Sequence, residues 1–136
     1  SPWPWADTHV IARMRVPALE IEQFVLAGAH GQSLAFGPGH LSGTALPGDS
    51  GNSVIAGHRD THFEFLRRLS PGDAIYFDFP QGRTVRYRVI NVWVTVDTDM
   101  RPLQARTDVH LTLITCYPFD ALRAGGALRF IVEAQA

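Results

Sequence analysis

Three residues in this sequence could make and break bonds together: a lone thiol at Cys116, an imidazole at His58 and a guanidinium at Arg129. A single cysteine cannot close an internal disulfide, so Cys116 is a buried inert thiol, a reactive nucleophile or half of an intermolecular bridge. Its surroundings favour chemistry. The run Leu111-Thr112-Leu113-Ile114-Thr115 is apolar and β-branched up to the thiol, and Val54-Ile55-Ala56-Gly57 leads in the same way to His58. A strand that carries a reactive group at its last residue presents it at a rim, held rigidly yet open to substrate. Arg129 sits in the last good strand pattern, Leu128-Arg129-Phe130-Ile131-Val132. Antiparallel pairing of that strand with the cysteine strand would bring guanidinium and thiol together.

Other groups compete for a role. His58, Asp60 and His62 fall at i, i+2 and i+4, which on an extended strand would put two imidazoles and a carboxylate on one face, a candidate zinc set. Thr61 and His62 instead begin a short helical pattern, which breaks the alternation, and Asp60 suits an orienting or capping role. The carboxylates Asp97, Asp99 and Asp108 are scattered, so no metal dependence and no cofactor is expected. Arg123 is a second arginine after Cys116, but it lies in a loop pattern; strand register favours Arg129. Arg59 and Arg101 read as surface groups, and His9, His30, His40 and His110 as satisfied or exposed side chains.

The elements that must position these groups are strands. Short apolar, β-branched and aromatic runs, punctuated by Gly, Pro and Asp, predict strands over His9 to Val16, Ile21 to Leu26, Ser53 to Gly57, Ala74 to Phe79, Thr84 to Thr95, Val109 to Cys116 and Leu128 to Ala134. Their number and spacing predict a barrel or sandwich. In the fifth run Val85, Tyr87 and Val89 alternate with Arg86 and Arg88, as a long strand with one buried face would. Helical pattern is confined to a turn at Gln32 to Leu34 and to His62 to Leu69, with Phe63, Phe65, Leu66 and Leu69 facing inward. Turn chemistry places loops at Gly37-Pro38-Gly39, Pro47-Gly48-Asp49, Pro71-Gly72-Asp73, Pro80-Gln81-Gly82 and Gly125-Gly126. Paired glycines would let the last of these gate the site.

With 136 residues, 46% of them hydrophobic, the chain can build one compact core. A net charge of −1 supplies no basic field for phosphates, so nucleic acid is not an expected partner. All 12 basic residues are arginines, so no lysine amine is available for self-ligation. No stretch is long and apolar enough for a transmembrane helix, and the absence of an initiator Met suggests a processed or trimmed chain. Trp3 and Trp5, in the opening Ser-Pro-Trp-Pro-Trp, suit either a membrane interface or the barrel wall. The expected division is a juxtamembrane stub over residues 1–8 and one catalytic domain over 9–136.

Thr112-Leu113-Ile114-Thr115-Cys116 resembles the Thr-Leu-x-Thr-Cys signature of sortases, and Ala56-Gly57-His58 resembles the segment that carries their histidine. The likeness runs through most of the chain: Val16-Pro17, Phe36-Gly37-Pro38-Gly39-His40 and Gly43-Thr44-Ala45-Leu46-Pro47-Gly48 are similar to further family segments. Trp-Pro-Trp and Cys116-Tyr117-Pro118-Phe119 look most like the class found in Gram-negative bacteria.

The resemblance implies a mainly β fold, a closed sortase-type barrel of about eight strands with one or two short helices. It implies a cysteine transpeptidase in which Cys116 attacks a peptide carbonyl, His58 serves as acid and base, and Arg129 hydrogen-bonds the oxyanion or the bound peptide. Ala56, Ile114 and Thr115 match positions that line the family's peptide groove. The implied substrate is a secreted protein with a C-terminal Leu-Pro-x-Thr-Gly-like signal, cut between Thr and Gly, and the acceptor is an amine. A single-pass anchor in the inner membrane, preceding this chain, would hold a monomeric catalytic domain on the periplasmic side. Two alternatives keep the barrel: a cysteine endopeptidase that sends the thioester to water, and a peptide-binding module without turnover.

Overall fold

A computed structural model describes residues 9–29, 34, 36–119 and 126–136 of the chain. Eight strands form a closed barrel: β1 (Val10–Val16), β2 (Ile21–Ala27), β3 (Gly39–His40), β4 (Gly51–Ala56), β5 (Ala74–Asp78), β6 (Thr84–Val96), β7 (Val109–Tyr117) and β8 (Leu128–Gln135). Their order around the barrel is β1-β2-β3-β4-β7-β8-β6-β5, with β5 pairing back to β1. Closure removes the unpaired edges that an open sheet would expose.

Period-two alternation builds the wall. In β1, Ala12, Met14 and Val16 are buried while Arg13 and Arg15 face outward. In β6, Tyr87 and Val89 are buried while Arg86 and Arg88 are exposed, as the pattern predicts. The core joins Met14, Ile55, Phe65, Phe77, Tyr87 and Leu113 with their neighbours. Each such side chain contributes about 1.5–3 kcal/mol through burial. Outside, the Arg15 guanidinium, then Thr84 and Arg13, hydrogen-bond Asp78 and hold its carboxyl well below the usual carboxylate range.

The predicted turns close as their residues require. In Leu46-Pro47-Gly48-Asp49 the Asp49 N–H donates to Leu46 O at 3.0 Å and Gly48 takes φ +90°, a conformation natural to glycine. Short 3₁₀ helices join some of the described strands, at Pro17–Leu19, Glu64–Arg68 and Arg101–Leu103. The second lies inside the predicted His62 to Leu69 helix, and Phe63, Phe65, Leu66 and Leu69 are all buried as expected.

One detail differs from the sequence pattern. Gly37-Pro38-Gly39 reads as loop, yet Gly39 belongs to β3, which is too short for any periodicity. Gly39 packs so closely on β2's end that a Cβ there would lie 2.2 Å from Gly28 O. The stub over residues 1–8, the turn at Gln32 and Ser33, His30, Arg123 and Gly125 lie outside the described residues.

Candidate active site

β4 and β7 are parallel neighbours, an arrangement that sends two strand ends to the same rim. Their last register pair is Ala56 with Ile114, and the Gly57 N–H still donates to Ile114 O at 3.2 Å. His58 and Cys116 each lie two residues beyond that pair, so imidazole and thiol share one end of the barrel. β8 runs antiparallel on the other side of β7 and sets Arg129 directly opposite Cys116. Side chains in such a pair stand about 4.5–5.5 Å apart at Cβ. Cys116 and Arg129 are half-buried and His58 is exposed.

Local contacts fix each group. The His58 carbonyl accepts from the N–H groups of Thr61 and Phe63 at 3.3 and 3.0 Å, which turns the chain sharply after the imidazole. Gly57 lies flat against the Phe63 ring. The Thr115 hydroxyl donates to Gly57 O at 2.7 Å, tying the two strand ends together in the interior. Arg129 Nη1 donates to Gly126 O at 2.6 Å and Leu128 O at 2.9 Å, steadying the guanidinium at the rim. His62 lies close enough to His58 to feel its charge; burial first, and that charge second, hold the His62 imidazole below its ordinary pKa.

A cavity of about 270 Å³ runs along the outer face of β7 and β8 to Arg129. Ala56, Ile114 and Ile131 form its floor, and Thr95 at the end of β6 with Asp97, Asp99, Met100, Pro102 and Leu103 of the β6–β7 connection form a wall. Of Ala56, Ile114 and Thr115, the first two line this cavity. Thr115 does not: in a strand of period two it alternates to the opposite face, is 3% exposed and spends its hydroxyl on Gly57. Asp99 stands in the wall with its carboxyl held well below the usual range by Arg101, then Thr95. A larger cavity of about 520 Å³, lined by His9, Leu46, Phe79 and Arg83, sits at the other end of the barrel, away from the thiol.

Other sequence expectations fare differently. Arg59 is not a surface group: it is 3% exposed, with Nε 3.5 Å from Asp60, because the turn after His58 folds the chain back onto the barrel. Arg101 is exposed as expected, its guanidinium stacked over the Trp93 ring. His40 and His110 are buried and hydrogen-bonded, His40 to Ala45 O at 2.8 Å and His110 to Glu133 at 3.1 Å. His58, Asp60 and His62 do not share a strand face, since residues 59–63 form turns. Among the described residues no three His, Cys, Asp or Glu side chains gather as a metal-binding group. Sequence reasoning missed the whole β6–β7 wall, whose residues carry no local signature of a groove.

Comparison with known proteins agrees with this geometry. A family described as the sortase domain matches residues 14–136. The chain is 30% identical over 109 residues to Sortase D of Bacillus subtilis, covering 79% of this chain and spanning 54%, about half, of that protein. Among solved structures, a Clostridium perfringens Sortase D5 transpeptidase superposes with TM-score 0.81 at 27% identity, over 93% of this chain and 78% of that one. Sortase A from Corynebacterium diphtheriae superposes with TM-score 0.83 at 31% identity, over 93% and 60% of the respective chains.

Proposed function

This chain belongs to the sortase family of cysteine transpeptidases, and from that premise we propose that it cuts a sorting peptide and transfers the acyl group to an amine through Cys116. Sortases act on proteins that bear a sorting signal and on amine acceptors, and are membrane-associated, extracytoplasmic enzymes. The observation that carries the reading here is the register of β7 with β8, which pairs Cys116 with Arg129, a residue that also lines the Ala56–Ile114–Ile131 cavity.

In the proposed reaction the Cys116 thiolate attacks the scissile carbonyl and forms a tetrahedral oxyanion. Arg129, charged at any working pH, donates hydrogen bonds to that oxyanion or to the peptide beside it. Collapse breaks the C–N bond; His58 gives its proton to the leaving amine and a thioester remains on Cys116. The acceptor amine then attacks, His58 takes its proton, the C–S bond breaks, and the new amide leaves with the Cys116 thiolate and the protonated His58 restored. Rim placement suits both halves, because an exposed imidazole can meet first the leaving amine and then the incoming one.

The substrate is a Leu-Pro-x-Thr-Gly-like signal cut between Thr and Gly. A kinked Leu-Pro fits an apolar floor such as Ala56, Ile114 and Ile131. Cys116-Tyr117-Pro118-Phe119 supports placement in the Gram-negative class. By that likeness residues 9–136 are a monomeric catalytic domain, held on the periplasmic side of the inner membrane by an anchor preceding residues 1–8. The test is amine exchange followed by mass spectrometry with a Leu-Pro-x-Thr-Gly peptide library, beside Cys116→Ala and His58→Ala. Exchanged product lost in both variants supports transfer; hydrolysed product alone would make the chain an endopeptidase, and no product from any peptide would defeat the reading.

A further inference from the structure

The cavity wall is not a free loop. Asn52, on β4, is 8% exposed and reaches across to the β6–β7 connection. Its amide nitrogen donates to Pro102 O at 2.9 Å and to Gln104 O at 3.0 Å, using both N–H groups on two carbonyls that can only accept. Those acceptors orient the amide, and its oxygen accepts from the Thr112 hydroxyl of β7 at 2.7 Å. Thr112 is 1% exposed. One amide thus joins two barrel strands to the segment that carries Met100, Pro102 and Leu103 into the cavity. The front of the same segment is held separately: Asp99 accepts from Thr95 at 2.5 Å and from the Arg101 N–H at 2.9 Å.

We infer that Asn52 is a positioning residue of the peptide groove, holding the β6–β7 wall in its binding form before substrate arrives. The inference rests on the transpeptidase reading only for what enters the groove. A pre-built wall reduces the ordering that binding must otherwise bring about. Loss of the anchor therefore weakens peptide capture and leaves the thiol chemistry, on the other side of Ile114, intact. Without Asn52 the carbonyl of buried Pro102 loses its partner and reaches water only if the wall lifts off the barrel, whereas Gln104 is already exposed.

The test uses Asn52→Ala, Asn52→Ser and Thr112→Val in the full chain. It reads kcat and KM for peptide exchange, the rate of Cys116 alkylation by iodoacetamide, and amide hydrogen exchange over residues 97–108. Asn52→Ala is expected to raise KM by roughly tenfold with kcat within about twofold. Alkylation stays at the parent rate, and exchange rises over 97–108 while β8 remains protected. Asn52→Ser, which keeps one donor, and Thr112→Val, which keeps the amide but not its support, fall between parent and Asn52→Ala. If Asn52→Ala does not fold, the ordering of these two milder variants decides. A folded Asn52→Ala with parent exchange over 97–108, or with kcat reduced at unchanged KM, overturns the inference. Should the parent chain turn over no peptide, the functional reading fails by itself, while hydrogen exchange still decides whether Asn52 holds the wall.

Discussion

Replacing Gly57 by alanine is the sharpest perturbation the fold offers near the thiol and imidazole. A Cβ at this position would lie 2.7, 2.9 and 3.1 Å from Phe63 Cγ, Cδ2 and Cδ1. Carbon atoms sit comfortably about 3.5–4.0 Å apart, so roughly 1 Å must be recovered. Phe63 has little room to yield: it is fully buried and meets the Phe65 ring edge-on, centroids 5.8 Å apart. Forcing the methyl in costs about 1–3 kcal/mol of stability by overpacking. The backbone is the other route of relief. Gly57 is bonded to Ile114 O through its N–H and to Thr115 through its carbonyl, so its retreat carries His58 away from the strand end that bears Cys116. A misplacement near 1 Å costs about 10² in rate. The expected outcome for Gly57→Ala is a thermal midpoint lowered by several degrees and kcat for amine exchange reduced about 10²-fold, with iodoacetamide alkylation of Cys116 little changed. Adding Phe63→Leu, which shrinks the opposing ring, should recover part of kcat. Parent-like midpoint and kcat in Gly57→Ala would refute the reasoning, because the contact would then exert no constraint on His58.

Thr115→Val removes the buried bond to Gly57 O and leaves that carbonyl unpaired. A loss of about 1–3 kcal/mol in urea unfolding is expected, whereas a groove-lining role would appear as raised KM at unchanged stability. His110 gives a pH dependence with a definite sign. Burial, then the Arg106 charge, holds its imidazole below the ordinary value of 6.5 despite Glu133 and Asp108 beside it, so the native state keeps it neutral with Nε2 donating to Glu133. The unfolded chain takes up a proton as pH falls through about 6.5 while the native chain resists. Its contribution is therefore complete above that pH and is lost on acidification toward the lower native value. His62 acts in the same direction. Urea midpoints measured from about pH 7.5 to about pH 5.5 should fall, and His110→Gln should flatten the slope; a midpoint that rises on acidification would contradict the assignment. The depressed carboxylates Asp78, Asp99 and Asp108 titrate below this window and do not confuse it.

Much of the barrel is legible in the sequence because alternation and turn chemistry are local. Tyr87 and Arg88 declare opposite faces by their types alone, and Pro47-Gly48 declares a turn by the dihedral angles each residue supports. β3 escapes the same reading, since two residues have no period. The ends of β4 and β7 are legible for a different reason: an apolar run that stops at a thiol or an imidazole places that group at a rim. Faces and long-range partners are harder to read. Thr115 matches a groove position by family resemblance, yet the strand period turns it toward Gly57. Arg59 looks solvated because arginines usually are, and nothing local announces the fold-back after His58. Asn52 has its partners 50 and 52 residues away, on carbonyls that any residue type would supply, so no sequence pattern could have marked it.

The most direct test of the central claim is intact-protein mass spectrometry of the chain after brief incubation with a Leu-Pro-x-Thr-Gly peptide and no added amine, followed by peptide mapping. The account predicts an adduct with the mass of the acyl fragment, cut after Thr, on Cys116 alone, released by hydroxylamine, absent from Cys116→Ala and formed far more slowly in Arg129→Ala. Peptide cleavage that persists in Cys116→Ala, or an adduct mapped to another residue, would contradict it.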